Sequence, residues 1–260
     1  MSVEKRKLEE AEFHDKLRGM NSDDPEFNYL TSNRKLYSVA ESSKDYYKDW
    51  LKENCENLRV LDYGSGDGSY SFFLAQNGAE VVGVDISEVS VSNCQQLALD
   101  YGLQGQTSFK VMDAEALEFE DNSFDIVCEA GVLHHVDLNK AFSEISRVLK
   151  PTGKAICYEA LGHNRIFQLY RQLTPHLRTK FETEHILGLN SLELATEYFD
   201  NVEVKFFHLA VLAAVPFRNM PGFKGLLQML ESLDSWLFNF PIFQRQAWMM
   251  IFVLSNSKSR

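Results

Sequence analysis

Residues 60–68 read Val-Leu-Asp-Tyr-Gly-Ser-Gly-Asp-Gly, and residues 81–86 read Val-Val-Gly-Val-Asp-Ile. Val60 and Leu61 have the apolar character of a buried strand end. Gly64, Gly66 and Gly68 then alternate through a turn, where glycine serves because φ must be positive or because a ligand must approach the backbone. Asp85 stands about twenty residues beyond the first glycine, at the tip of a second apolar run, where a carboxylate can accept hydrogen bonds from both hydroxyls of a ribose. Together the two segments predict a nucleoside cofactor on the carboxyl edge of a parallel sheet.

Three details favour S-adenosylmethionine over a dinucleotide. Asp62, two residues before the first glycine, would repel a pyrophosphate and attract the ammonium of a methionine moiety. The spacing is Gly-x-Gly-x-Gly, with Ser69 where the dinucleotide pattern has its third glycine. Asp113 in Met112-Asp113-Ala114 follows another short β-like run and can take the adenine amino group. Gly64, Ser65 and Gly66 are then expected under the methionine portion, Asp85 on the ribose, Ile86 beside the adenine, and Asp113 with Ala114 at its edge.

Outward from this centre the apolar period alternates. Strands are predicted at 58–63, 81–85, 107–112, 124–130 and 154–160, separated by helices at 69–78, 88–102 and 138–149. That alternation implies right-handed parallel crossovers and an α/β, doubly wound sheet. Residues 1–20 suggest a mobile charged helix within an N-terminal segment, 1–33, with one domain over 34–260. Residues 44–53 and 191–199 read as further helices, and 202–207 and 247–254 as the last two strands. Ser87 is a plausible N-cap for the second crossover helix.

Asp62-Tyr63-Gly64-Ser65-Gly66-Asp67-Gly68, Asp85, Asp113-Ala114, Phe124-Asp125-Ile126-Val127, Leu133-His134-His135-Val136 and Arg147-Val148-Leu149-Lys150-Pro151-Thr152-Gly153 resemble, in order and spacing, the motifs of class I S-adenosylmethionine-dependent methyltransferases. The subgroup most resembled contains the ubiquinone and menaquinone methyltransferases, and the resemblance covers roughly residues 34 to 160. Thr152 departs from it, standing where the family usually has a second glycine. The resemblance implies a Rossmann-like seven-stranded sheet whose last strand is antiparallel, and methyl transfer to a small molecule.

His134 and His135 follow the fourth strand, on the edge where open α/β sheets bind ligands. Either imidazole could remove a proton near neutrality, or His134 could simply order the loop. Glu129 and Glu159 end the fourth and fifth strands, Glu129 as a cofactor contact and Glu159 as a catalytic candidate. Tyr37 is expected on the donor, and Tyr29 on the acceptor. Residues 160–190 form a lid carrying Arg165, Arg171, Arg178 and Lys180 against Glu182 and Glu184. His163 and Arg171 are its acceptor-binding candidates, Arg171 for an anionic group. Residues 208–246 form a helical cap insert with Phe223, Leu226, Leu227, Leu230, Leu233 and Leu237 on one helical face. Phe217, Phe223 and Trp236 are its candidate walls for an apolar acceptor; the same stripe could instead form a homodimer contact or touch a membrane.

The formal net charge of −11 argues against a nucleic-acid partner, which needs clustered Lys and Arg. No apolar run reaches the length of a membrane span. Cys55, Cys94, Cys128 and Cys157 show no metal-ligand spacing, so no metal is expected, and free core thiols fit a cytoplasmic enzyme. The rival readings are a catalytically silent module that binds the cofactor and a dinucleotide-dependent oxidoreductase.

Overall fold

The computed structural model describes residues 3–179, 181 and 185–258. Seven strands run β1 (Arg59–Tyr63), β2 (Glu80–Asp85), β3 (Thr107–Val111), β4 (Phe124–Ala130), β5 (Leu149–Ala160), β6 (Phe199–Phe207) and β7 (Met249–Ser257). They pair in one sheet in the order β3-β2-β1-β4-β5-β7-β6. The first five are parallel neighbours, and β7 runs antiparallel to both β5 and β6. Strand order reverses between β1 and β4, the switch point at which such sheets open a crevice for ligands.

The alternation of side chains on β1 divides the core. Leu61 and Tyr63 enter the cluster on one face with Val127, Phe142 and Phe252. Val60 enters the other with Tyr47, Leu51 and Ile156. Strands sandwiched this way must be apolar on both faces, which is why the central runs read as continuous rather than alternating hydrophobics. The crossovers are α4 (Ser69–Gln76), α5 (Glu88–Asp100) and α6 (Leu138–Val148). Ser87 caps α5, its hydroxyl accepting from the Ser90 amide at 3.0 Å. Asp137 does the same for α6 at the amides of Asn139 and Lys140.

Three elements differ from their expected form. β5 begins at Leu149, not 154, because Leu149 already pairs with Phe124 before the register shifts to Ile126 with Lys154. Pro151, Thr152 and Gly153 therefore form an irregularity inside the strand, and a Cβ at Gly153 would lie 2.8 Å from the Asp125 carbonyl. The helix expected at 191–199 is α8 (Leu189–Ala195); Tyr198 and Phe199 are drawn instead into the core at the start of β6. The charged N-terminal helix, α1 (Val3–Gly19), is docked rather than loose, with Arg6 and Glu10 buried.

α2 (Pro25–Leu30) and α3 (Glu41–Asn54) follow it, and α3 is tied to the sheet where the Tyr47 hydroxyl donates to the Glu129 carbonyl at 2.9 Å. α7 (Arg165–Leu173) lies in the expected lid. The insert holds a 3-10 segment (Ala210–Phe217), α9 (Phe223–Leu237) and α10 (Pro241–Gln244). No described helix is long and apolar enough to cross a membrane.

Gly64 has φ +79°, and a Cβ there would overlap a methyl of Val132. Gly64→Ala is expected to cost about 1–3 kcal/mol from the left-handed backbone alone, before the clash is relieved. Urea denaturation should show the loss, and an unchanged midpoint would mean that the turn adopts another path.

Candidate active site

The glycine turn is pinned from below. The Gly64 and Ser65 amides both donate to the Val84 carbonyl, at 2.9 and 2.8 Å. The Gly66 amide donates to one oxygen of Asp85 at 2.8 Å, and the Ser87 amide to the other at 2.9 Å. Asp85 thus fixes the turn to the end of β2 while each carboxylate oxygen keeps a second lone pair for a ligand hydroxyl. Gly64, Asp85, Ile86, Asp113 and Ala114 line one cleft of about 610 Å³.

Asp62, Ser65, Gly66, Glu129 and Tyr37 do not line that cleft. Asp62 sits beneath the turn, accepting from the Ser71 hydroxyl at 2.5 Å, and burial raises its pKa to about 6. Its negative charge acts from under the cleft, not as a ligand contact.

The roof of the cleft is α1. Arg6, Lys7, Glu10 and His14 all line it. Arg6 pairs with buried Glu115, and Lys7 pairs with Asp113 and, at 3.1 Å, with Glu115. Asp15 accepts from the Ser87 hydroxyl and from the Val89 amide at 3.2 Å. Arg18 reaches the turn itself, its Nη2 3.0 Å from where a Cβ at Gly66 would sit. Glu10 meets His135 Nδ1 at 3.0 Å and accepts from the Thr179 hydroxyl.

One donor atom each of Glu10, His14 and His135 lies within 4.8 Å of the others, a clustering that cysteine spacing could not reveal. None of these α1 residues belongs to a methyltransferase motif. Their signal in the sequence was the four-residue spacing of Arg6, Glu10, His14 and Arg18, which places them on one helical stripe.

Glu115→Ala should leave the Arg6 guanidinium buried and unpaired, a loss of about 3–5 kcal/mol if the helix stays docked. Undocking of α1 into water is the cheaper escape and caps that cost. Limited trypsin digestion is therefore expected to cut the variant faster at Lys7, Lys16 and Arg18, and an unaltered digestion rate would count against this pairing as the latch.

The His134–His135 loop closes the cleft on one side and opens onto another. His135 lines the cleft beneath α1. His134, whose ring is 4.2 Å from that of His135, lines a second cleft of about 570 Å³. His134 Nδ1 lies 2.7 Å from Glu159, which also accepts from the Leu133 amide at 2.7 Å. Glu159 is 0% exposed and reaches neither cleft, so it positions His134 instead of meeting a ligand. Glu129, equally buried, accepts from the Val132 and Leu133 amides. Burial raises the pKa of Glu159 to about 7, and burial plus the charge of Glu159 pushes Glu129 well above the usual carboxylate range. Glu129 is therefore the carboxyl that keeps a proton, and Glu159 the one that orients the imidazole.

The second cleft gathers Leu36, Tyr37, Phe167, Arg171, Arg178 and Trp248 around His134. Tyr37 thus belongs to this side and not to the donor. Tyr29 is 56% exposed and stacks on His176 at 4.0 Å, and His163 is exposed, its Nε2 accepting from the Leu189 amide at 2.9 Å. The apolar walls expected from the insert lie elsewhere. Phe223 packs against the β-sheet cluster with Leu226, Leu227 and Leu230. Phe217 is 44% and Trp236 58% exposed, and neither lines either cleft. α9 uses Phe223, Leu226, Leu227 and Leu230 to hold the insert onto the sheet, while Leu233 of the same stripe stays exposed. Of the expected lid charges, Lys180, Glu182 and Glu184 lie outside the described residues.

A methyltransferase-domain family model matches residues 61–157. Over that segment the chain is similar to methyltransferase domains. It is 38% identical over 122 residues to a ubiquinone/menaquinone biosynthesis C-methyltransferase of Rickettsia felis, covering 44% of this chain and 49% of that protein. A sterol 4-C-methyltransferase of Caenorhabditis elegans is 30% identical, over 56% of this chain and 43% of its own length. The chain therefore spans about half the length of the curated relatives it matches. In fold it is similar to a Haemonchus contortus phosphoethanolamine N-methyltransferase 2, with a TM-score of 0.58 at 22% identity, over 82% of this chain and 53% of that one. The matched segment runs from β1 into β5 and so contains the turn, Asp85, Asp113 and the His134 loop, while α1 and the lid lie outside it. The dinucleotide reading finds no support in the family match.

The buried carboxyl pair has a pH signature. Glu159 has a folded pKa of about 7 against an ordinary value of 4.5, so its protonated form favours the folded state. Stability from this group is complete below about pH 4.5 and is lost as pH rises through about 7. Glu159→Gln should lose less stability than the parent between those limits. Denaturant titrations at both ends of the window would check it, and parallel losses would assign the dependence to other groups.

Proposed function

We propose that this chain transfers the methyl group of S-adenosylmethionine to a small, largely apolar metabolite. The observation that carries the reading is the meeting of two clefts at one loop. The donor cleft is bounded by Gly64, Asp85, Asp113 and His135, and the second cleft by His134, with the two imidazoles 4.2 Å apart. A sulfonium methyl is already activated, so the protein has mainly to align acceptor atom, methyl and sulfur. Alignment alone can supply up to roughly 7–11 kcal/mol.

In this reading Asp85 holds the ribose, Asp113 the adenine amino group, and Ile86 and Met112 pack beside the base. Lys7 now pairs with Asp113, so α1 must shift or share that carboxylate when the cofactor enters. His134 acts as base where the acceptor carries a proton to be removed: its Nδ1–H donates a hydrogen bond to Glu159, which leaves the Nε2 lone pair as the accepting site. The contribution expected of such a base is about 10²–10⁴-fold. The apolar character of the acceptor follows the quinone and sterol chemistry in the names of the relatives and the aromatic lining of the second cleft. Four free, buried cysteines suit a cytoplasmic location.

Two measurements test this. Asp85→Ala should weaken calorimetric binding of S-adenosylhomocysteine by about 10- to 100-fold, the loss of charge-assisted hydrogen bonds; unchanged affinity in a folded variant would remove Asp85 from the site. His134→Ala should lower transfer of an isotopically labelled methyl group into a metabolite extract by about 10²-fold or more while leaving S-adenosylhomocysteine affinity intact. Loss of cofactor binding in that variant would make His134 a structural residue of the loop.

A further inference from the structure

Three metal-ligating side chains converge where α1 meets the loop after β4. Glu10 and His14 stand four residues apart on α1, a spacing that puts both on one helical face and that metal-binding helices use for paired ligands. His135 comes from the loop after β4, its ring 5.3 Å from that of His14 and nearly perpendicular to it. One donor atom of each residue lies within 4.8 Å of the others. Glu10 Oε2 is 3.0 Å from His135 Nδ1 and 3.9 Å from His14 Nε2. In a tetrahedral site with bonds of about 2.1 Å, neighbouring ligand atoms stand roughly 3.4 Å apart. The two separations bracket that length, so small side-chain rotations bring the donors to one ion.

The protonation of the cluster suits ligation. Glu10 is buried, and one of its oxygens accepts from the Thr179 hydroxyl, which orients the carboxylate as outer-shell partners orient ligands. Its buried Oε2 lies close to the two imidazoles but accepts a well-formed hydrogen bond from none of the described residues. A buried acceptor in that state costs free energy that a bound cation would return. Burial alone would raise the Glu10 carboxyl, but His135, Thr179 and His14 outweigh it and hold the group below its ordinary value. Burial, and then the charge of His135, lowers the pKa of His14 to about 4, so its imidazole is neutral near pH 7 and carries a free lone pair.

We infer that Glu10, His14 and His135 bind a divalent transition-metal ion of the zinc type, which fastens α1 to the loop after β4. Two imidazoles and one carboxylate suit such an ion, whereas magnesium and calcium take oxygen ligands. Three protein ligands leave a coordination position open, and all three residues line the cleft beneath α1, so that position faces the cleft. The ion joins residues 10 and 14 to residue 135, so part of its binding free energy goes into docking the helix. The site goes beyond the methyl-transfer reading and stands independently of it. Cysteine spacing, on which the expectation of no metal rested, carries no information about a ligand set without thiols.

The test uses the full chain without a histidine tag, stripped with a chelator and free of any methyl donor. Calorimetry with Zn²⁺ is expected to show one ion per chain, while Mg²⁺ at the same concentration gives no saturable heat. His14→Gln and Glu10→Gln should each weaken Zn²⁺ binding by about tenfold or more, and His176→Ala, outside the cluster, should leave it unchanged. Glutamine is a good helix former, so both α1 variants keep the helix, and circular dichroism checks their fold. X-ray absorption of the zinc form should show only nitrogen and oxygen neighbours, at about 2.0–2.2 Å, with imidazole scattering beyond them. Zn²⁺ should also slow amide hydrogen exchange across α1 in the parent protein and not in His14→Gln. Absence of saturable binding by the folded parent, an affinity that survives the Glu10→Gln/His14→Gln pair, sulfur in the zinc shell, or Mg²⁺ binding as tightly as Zn²⁺ overturns the site. Zinc that binds the cluster without slowing exchange in α1 overturns the fastening of the helix.

Discussion

The hydrogen bonds that join the glycine turn to the end of β2 are the constraint on which the rest of the site depends. Val84 accepts from two consecutive turn amides, and Asp85 accepts from a third. β1 and β2 pair in parallel along their whole length, so the turn leaving β1 is held at the tip of its neighbour. That attachment sets where a cofactor's ribose and methionine portion would lie, and it requires left-handed backbone at Gly64, Gly66 and Gly68. A side chain at Gly64 would disturb both the turn and Val132, and so would carry the disturbance directly to the His134 loop.

That loop is built on buried charge. Glu129 and Glu159 stand side by side at the ends of β4 and β5, paired in register as Glu129 with Cys157 and Glu159 with Met250 on the next strand. Burying two carboxyls together is costly unless one keeps its proton and the other is well hydrogen-bonded. Here the loop amides of Val132 and Leu133 and the imidazole of His134 supply those bonds. The cost of the pair is offset by a loop held in one geometry, with one histidine on each side of the boundary between two clefts. Rigid support of this kind is what alignment chemistry needs.

The N-terminal helix adds a second layer of control. α1 contributes cations to Asp113 and Glu115, the Asp15 carboxylate to Ser87 and Val89, and the Glu10 carboxylate to His135, so it closes the first cleft by charge complementarity rather than by apolar packing. The Arg6–Glu115 pair is buried and holds the helix down, whereas the Lys7–Asp113 pair is partly exposed and can exchange with water or a charged ligand. The insert behaves in the opposite way. Its helix α9 is anchored to the sheet by apolar side chains and to the preceding 3-10 segment by Asp234, which accepts from the amides of Leu209 and Val211 at 3.0 and 3.3 Å.

The sequence by itself determined the sheet and several residues that line the first cleft. Strand and helix periods are local, and a glycine turn followed by a carboxylate at fixed spacing needs no tertiary information to be read, so β1, β2, β4 and the places of Asp85 and Asp113 were all legible. Residues whose role depends on a distant segment were not. Tyr37 was expected beside the glycine turn and lines the other cleft; Phe217, Phe223 and Trp236 were expected as pocket walls and line neither cleft; Glu159 was assigned to chemistry and is sealed beneath the residue it orients. An apolar or charged side chain carries no mark of which surface it will meet. Only the tertiary placement of α1, of α7 and of the turn after α7 decided that Arg6, Lys7, Glu10 and His14 roof one cleft and that Arg171 and Arg178 join Trp248 in the other. Those contacts join residues more than 100 positions apart in several cases, as Arg6 to Glu115 does, and such long-range contacts are set by the folded chain as a whole.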